Sequence, residues 1–258
     1  MIKMNKEQLV DQLLQDLLHE EKKYHHITIP TNYIQKRRLL RGVMNLRLPK
    51  PISEEVLKKE DTLLQLELQE KHITDVNEIK PKEGKIAIWR GDITTLKIGA
   101  IVNAGNASLL GCFIPNHTCI DNAIHTYAGM RLRLACQNLM KGKEVATGTA
   151  KITPAFQLPS DYVIHTVGPI VSHHLTEKEI TELKNCYISC LDIARKNHIR
   201  TIAFPCISTG VFHFPKEKAS EIAVSTVRDY VIQYPDCFDK IVFNVFTKED
   251  EQNYDRLF

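Results

Sequence analysis

The sequence predicts an α/β protein with a mainly parallel central sheet, preceded by a helical N-terminal lobe. From Lys85 onward, five short runs rich in Ile and Val, "KIAIW", "GAIVNA", "YVIHTV", "TIAFPCI" and "KIVFNVF", read as strands buried on both faces. Stretches of helical spacing lie between them, roughly at 120–140, 177–197 and 216–233. Strands alternating with helices imply parallel pairing, with helices on both sides of the sheet.

The style of the chain changes near residues 75 to 84, and before it the pattern is helical. Leu9, Val10, Leu13, Leu14, Leu17 and Leu18 recur at helical spacing and form one apolar stripe. A second helix follows Thr31 or Asn32 through "YIQKRRLLRGVMNL" and stops before "LPKP". A third begins after Ser53, a good N-cap, and covers "EEVLKKEDTLLQLEL". We assign residues 1–78 to a helical extension packed on the main domain, and 79–258 to that domain.

Composition removes several classes of function. At 258 residues the chain can bury a large core. A hydrophobic content of 43% with 25% charged residues is ordinary for a soluble globular protein. A net charge of +3, with no dense Lys/Arg stripe interleaved with aromatics, does not argue for nucleic acid. No apolar run approaches the length of a membrane span. The N-terminus is amphipathic and acidic, which makes it a poor signal peptide. Seven scattered cysteines, an odd number, do not suggest a disulfide framework. The expectation is a cytoplasmic protein with reduced thiols, in which Cys136, Cys186, Cys190, Cys206 and Cys237 fall within helix or strand patterns as core thiols.

In a parallel sheet, ligands sit beyond the carboxyl ends of the strands. "RGDIT", "NAGNASLLG", "HTVGP" and "STGVF" lie there. Gly210, beside small hydroxyl residues, suits a turn whose N–H groups converge on an anion, although most such turns are only turns. Asp92 can cap a local turn or accept a hydrogen bond from an amine. Asn103 and Asn106 can present amides to hydroxyls or simply form the turn. His125 and His165 suit packing or backbone hydrogen bonds.

One loop carries more chemistry than the others. In "GCFIPNHTCIDNAIH", Cys112, His117 and Cys119 are spaced C-x4-H-x-C and run into a helix. The spacing is not a paired C-x2-C, and taken alone it leaves open a metal site or free thiols beside a surface histidine. Three such ligands would leave a fourth tetrahedral position open on zinc, and Pro115 restricts the loop between them. Asp121, at the start of the helix, can cap it or act on a water molecule.

Taken in order, "GDIT", "AIVNAGN", "DNAIHTYAG", "YVIHTVGP" and "FPCISTGVFHFP" resemble the macrodomain family over about residues 85 to 247. The resemblance implies a three-layer α/β/α sandwich that binds ADP-ribose, as a reader or as a hydrolase. By position, Asp92 would contact the adenine and Ile93 the neighbouring backbone. Asn103 and Asn106 would face the distal ribose. Ser208, Thr209, Gly210 and Val211 would wrap the diphosphate, with Phe212 against the distal ribose. Hydrolytic macrodomains usually read "LLGGGGVDGAIH" where this chain reads "LLGCFIPNHTCIDNAIH". That departure is similar to the zinc-dependent macrodomain subgroup, found beside sirtuin-type ADP-ribosyltransferases. The implied protein removes mono-ADP-ribose from modified proteins with one Zn2+ per chain, held by Cys112, His117 and Cys119, and with Asn103, Asn106 and Asp121 as catalytic residues. The alternatives are a reader with structural zinc and an O-acetyl-ADP-ribose deacetylase; a structural zinc normally has four protein ligands, which favours the hydrolase.

Overall fold

A computed structural model describes residues 5–258; Met1 to Met4, part of the expected extension, lie outside the described residues. The lobe comprises α1 (Lys6–His19), α2 (Tyr33–Leu46) and α3 (Glu54–Leu68). The chain then forms β1 (Thr74–Asp75), β2 (Pro81–Glu83), β3 (Ile86–Arg90), β4 (Leu96–Lys97) and β5 (Ala100–Ala104). Two helices follow, α4 (Ile120–Ala128) and α5 (Met130–Met140), and then β6 (Ala150–Pro154) and β7 (Tyr162–Thr166). The last part is α6 (Glu177–Lys196), β8 (Thr201–Phe204), α7 (Lys216–Gln233), β9 (Lys240–Val245) and α8 (Lys248–Asp255).

The three lobe helices begin where their caps predict. Asn5 and Gln8 form a reciprocal capping box on α1, Asn32 accepts from the N–H groups of Ile34 and Gln35, and Ser53 accepts from that of Val56. The leucine stripe of α1 is buried against Leu40, Val43, Leu57 and Leu63. Thr74–Asp75 pairs in parallel with Leu96–Lys97, so the chain has entered the α/β unit by residue 74.

The main sheet has seven strands in the order β2-β3-β9-β8-β5-β7-β6. The inner five are parallel, and β2 and β6 are antiparallel edges. Alternation along the strands divides the core. Val102, Ile164, Phe204 and Phe243 face α6, α7 and α8, while Ile101, Val163, Ala203 and Val242 face α4 and α5. This is the mostly parallel α/β arrangement expected, with helices against both faces. Among the described residues, no helix is long and apolar enough to cross a membrane.

Several elements depart from the expectation. The helix expected over 120–140 is two helices, broken at Gly129, whose φ of 88° lies in the left-handed region. A Cβ there would stand 3.1 Å from Leu64 Cδ1 and 3.2 Å from Glu60 Oε2. The break exists because buried Glu60 of the lobe reaches in to accept the first N–H of α5, from Met130, at 3.0 and 2.9 Å. β6 and α8 were not anticipated. The polar surface of α8 hides its period, and only Tyr254 enters the core deeply. Cys136, Cys186 and Cys190 are buried thiols as expected, but Cys206 and Cys237 lie half-buried in loops outside helix and strand.

Candidate active site at the carboxyl edge of the sheet

Because β3, β5, β7, β8 and β9 are parallel, the loops that leave them gather along one edge. Asp92, after β3, caps a 3-10 turn over Ile93–Thr95, accepting from the N–H of Thr94 at 2.9 Å and from its hydroxyl at 2.6 Å. Its carboxylate stays exposed, and Ile93 is buried beside it.

The turn after β8 is tightly seated. Ser208 has a φ of 65°, and a Cβ on Gly168 in the neighbouring "HTVGP" loop would fall 2.0 Å from the Ser208 hydroxyl. A glycine at 168 is what lets the two loops meet. The N–H groups of Gly210, Val211 and Phe212 have no backbone acceptor among the described residues, and Gly210 has open space where a side chain would be. Thr209 is tied back, its N–H and hydroxyl both donating to the Cys206 carbonyl. Val211 is 61% exposed and Phe212 half-buried. This turn can receive an anion through main-chain donors.

The asparagines of "NAGN" are hydrogen-bonded within the protein. Asn103 is fully buried and stands level with His165 on the adjacent strand. Its amide donates to Asp121 Oδ1 at 2.8 Å and approaches His165 Nδ1 at 3.2 Å. With Nδ1 accepting, His165 Nε2 carries the proton and donates to the Thr153 hydroxyl at 2.9 Å. The Asn103 amide thereby aligns Asp121, while its own Oδ1 has no hydrogen-bond partner among the described residues. Asn106 pins the next loop, donating to the Gly111 carbonyl at 3.0 Å and accepting from Ser108 at 2.6 Å. Asp121 does not cap α4. Cys119 holds the N-cap, its sulfur accepting from the Asn122 N–H at 3.4 Å, and Asp121 is 5% exposed behind it. Burial pushes the Asp121 carboxyl up to about 6, against the pull of Asn103. Burial likewise pushes His165 down to about 4 and lowers His125, so both imidazoles are neutral.

Cys112, His117 and Cys119 converge. Their donor atoms all lie within 4.8 Å of one another, and Cys112 Sγ is 3.7 Å from His117 Nδ1. Zinc at about 2.3 Å from sulfur and about 2.0 Å from nitrogen needs donor pairs about 3.5–3.8 Å apart, so small shifts would complete the fit. The donor set is thiol and imidazole, which suits zinc. Burial pushes the Cys119 thiol up to about 12, and a cation at this point would reverse that by favouring the thiolate. Among the described residues no fourth Cys, His, Asp or Glu joins this group.

The residues that hold this loop in place were not singled out in the sequence. Asn122 is fully buried and donates to the Ile114 carbonyl at 3.0 Å. From the lobe, Arg41 donates to the His117 carbonyl at 3.0 Å and to Asn122 Oδ1 at 2.8 Å. Asn45, one turn further along α2, accepts the Asn116 N–H at 3.0 Å. Arg133 stacks over Phe113 at 4.6 Å and donates to the carbonyls of Leu110, Met44, Asn45 and Arg47. The available signal was the pair Arg41 and Asn45, polar residues four apart on one face of a helix whose other buried positions are largely apolar.

Known proteins share the family and the fold of this chain. The Macro domain family model matches residues 102–223. A protein of Treponema medium named protein-ADP-ribose hydrolase is 49% identical over 251 residues, covering 95% of this chain and 96% of the relative. A protein of the same name from Staphylococcus aureus (strain MSSA476) is 43% identical over 261 residues, covering 100% of this chain and 97% of the relative. Among solved structures, the Trypanosoma brucei macrodomain in complex with ADP-ribose superposes with a TM-score of 0.67 at 28% identity, covering 84% of this chain and 94% of that one. On the family match, the near full-length relatives and the shared fold, this chain belongs to the macrodomain family.

Proposed function

We propose that this protein is a zinc-dependent hydrolase that removes mono-ADP-ribose from modified proteins. The reading is carried by one observation above the rest: three thiol and imidazole donors converge on one loop, two residues before a buried carboxylate held by Asn103. Relatives that match nearly the whole chain and are named protein-ADP-ribose hydrolase support the reaction class. Zinc rests on the donor chemistry of Cys112, His117 and Cys119, at one ion per chain. On the sequence resemblance, the modification is one installed by a sirtuin-type ADP-ribosyltransferase.

Each residue then has a task. The N–H groups of Gly210, Val211 and Phe212 receive the diphosphate, with Ser208 and Thr209 shaping the turn. Asp92 accepts from the adenine amine, and the backbone of Ile93 lies beside it. Asp121 accepts the proton of the attacking water as the bond between ribose and protein breaks, and the protein side chain leaves. Asn103 fixes the Asp121 carboxylate and Asn106 fixes the start of the ligand loop, so both act through their neighbours. When bound, zinc supplies Lewis-acid polarisation of the substrate's oxygens. Three protein ligands leave room for that role, whereas a purely structural ion would call for a fourth.

The test separates binding from chemistry. Cys119 has a second duty as the N-cap of α4, so Cys119→Ser is the variant of choice: serine keeps an acceptor for the Asn122 N–H while removing the thiolate. It should lose zinc by elemental analysis and still bind free ADP-ribose within about tenfold, 1.4 kcal/mol. Single-turnover release of ADP-ribose from a modified protein should fall at least about a hundredfold. Parent-like release by zinc-free, folded Cys119→Ser would end the metal-hydrolase reading. No release by the parent on any linkage would favour a reader, and turnover confined to O-acetyl-ADP-ribose would favour a deacetylase.

A further inference from the structure

Between the lobe and the α/β unit lies an open cleft of about 650 Å³, separate from the turn that suits the diphosphate. Its walls include Tyr33, Arg38 and Arg41 of α2, Lys71 beyond α3, and Asn116 and Tyr127 of the α/β unit. The cleft adjoins the ligand loop. Asn116 immediately precedes His117, and Arg41 donates to the His117 carbonyl at 3.0 Å.

The charges in this cleft do not cancel. Lys6 pairs with Glu70, and Arg37 pairs with Glu67 through two hydrogen bonds. Arg38, Arg41 and Lys71, which complete the cationic lining, form no ion pair among the described residues. Among the described residues, Arg41 is bonded only to neutral acceptors, and its Nε is buried with no acceptor. Lys71 holds its ammonium 3.6 Å from the centroid of the Tyr127 ring. Three cations without carboxylates, between two tyrosine rings, make a surface complementary to a negatively charged chain with aliphatic stretches.

We propose that this cleft docks an acidic segment of the ADP-ribosylated protein. The inference rests on the hydrolase reading above. If the bond to be broken lies at the ligand loop, the cleft offers the modified chain a path away from the site, because Asn116 beside His117 lines it. Carboxylates of the segment meet Arg38 and Lys71, with the Arg41 guanidinium adding positive charge behind them, while Tyr33 and Tyr127 cover its side-chain stems. A nucleic-acid strand would also bring negative charge, but Glu67 and Glu70 interrupt the positive lining, which does not form a continuous basic track for a phosphate backbone.

The experiment uses the full chain with Arg38→Glu/Lys71→Glu, and with Arg38→Gln/Lys71→Gln as the milder pair. Neither side chain is hydrogen-bonded to another among the described residues, so both variants should fold as the parent does. Release of ADP-ribose is followed on a protein modified within an Asp/Glu-rich stretch and, separately, on O-acetyl-ADP-ribose. Binding is followed by fluorescence anisotropy with a labelled Asp/Glu-rich peptide, its Asn/Gln counterpart, and a labelled single-stranded oligonucleotide. Charge reversal should lower kcat/KM on the protein substrate at least about tenfold and flatten its dependence on salt. The small ester and free ADP-ribose should change by less than about twofold, because both lie outside the cleft. The parent should prefer the acidic peptide to both other probes, and the reversed variant should lose that preference. Unchanged kcat/KM on the protein substrate, equal binding of the acidic peptide by parent and variant, or preference for the oligonucleotide would each overturn the docking assignment. A parent that binds the acidic peptide through this cleft yet releases ADP-ribose from no protein would instead sink the hydrolase reading and leave the cleft assignment standing.

Discussion

Glu60 is the place where the lobe enters the α/β unit, and its ionisation can be read from stability. The residue is fully buried on α3 and accepts the Met130 N–H with both oxygens. Burial, opposed by that N–H, pushes its carboxyl from 4.5 up to about 7. A folded-state value above the unfolded one means that the fold prefers the protonated acid. The contribution of Glu60 is therefore complete below about pH 4.5 and is lost as the pH rises through 7. That rise corresponds to something on the order of 3 kcal/mol above pH 7. Glu60→Gln keeps an acceptor for Met130 and never ionises. In urea denaturation it should match the parent at pH 5 within about 0.5 kcal/mol, and exceed it at pH 8 by roughly 1–3 kcal/mol. Other titrating groups, Asp121 among them, are common to both proteins and cancel in the difference. A variant-minus-parent difference that does not grow with pH, or a variant weaker than the parent at pH 8, would refute the reasoning. It would mean that the helix N-terminus, Arg37 and Arg131 hold Glu60 ionised.

Arg133→Met should destabilise the protein by about 3 kcal/mol or more in the same assay, because four carbonyls from the ligand loop and the end of α2 lose a buried donor. Gly210→Glu should fold like the parent, since a side chain there meets open space, yet bind ADP-ribose at least about tenfold more weakly by calorimetry. Asp121→Asn should bind ADP-ribose within about tenfold of the parent and release it from modified protein at least about a hundredfold more slowly in single turnover. Arg41→Met should weaken zinc retention about tenfold in a chelator competition, because the His117 carbonyl and Asn122 lose the donor that sets the loop.

The lobe can thus be given a structural task. Arg41 and Asn45 reach the ligand loop across 76 and 71 residues of sequence, and Glu60 reaches α5 across 70. These contacts bring α2 and α3 to the side of the α/β unit on which α4 and α5 pack. They make the lobe one wall of the region where the three metal-type donors converge. A set of donors on a single loop is pre-organised only when its backbone is held, and here much of the holding comes from outside the loop.

The sequence by itself determined the periodic and the contiguous features. Leucines three and four apart made α1, runs of Ile and Val made the five parallel strands, and Asn32 and Ser53 marked helix starts, because these signals depend only on near neighbours. Cys112, His117 and Cys119 were legible for the same reason: eight residues of loop keep them together whatever surrounds them. What a polar side chain bonds to was not legible. The partners of Asn103 inside the protein are His165, which parallel pairing sets level with it, and Asp121, which packing brings to it. Cys119 displaced Asp121 as the cap of α4 through the path of the loop entering it. The single helix expected over 120–140 became two because a carboxylate 70 residues away supplied the second with an N-terminal acceptor, at a glycine able to take a positive φ. Periodicity is a property of the chain, whereas the partner of a buried donor or acceptor is decided by whichever element the core places against it.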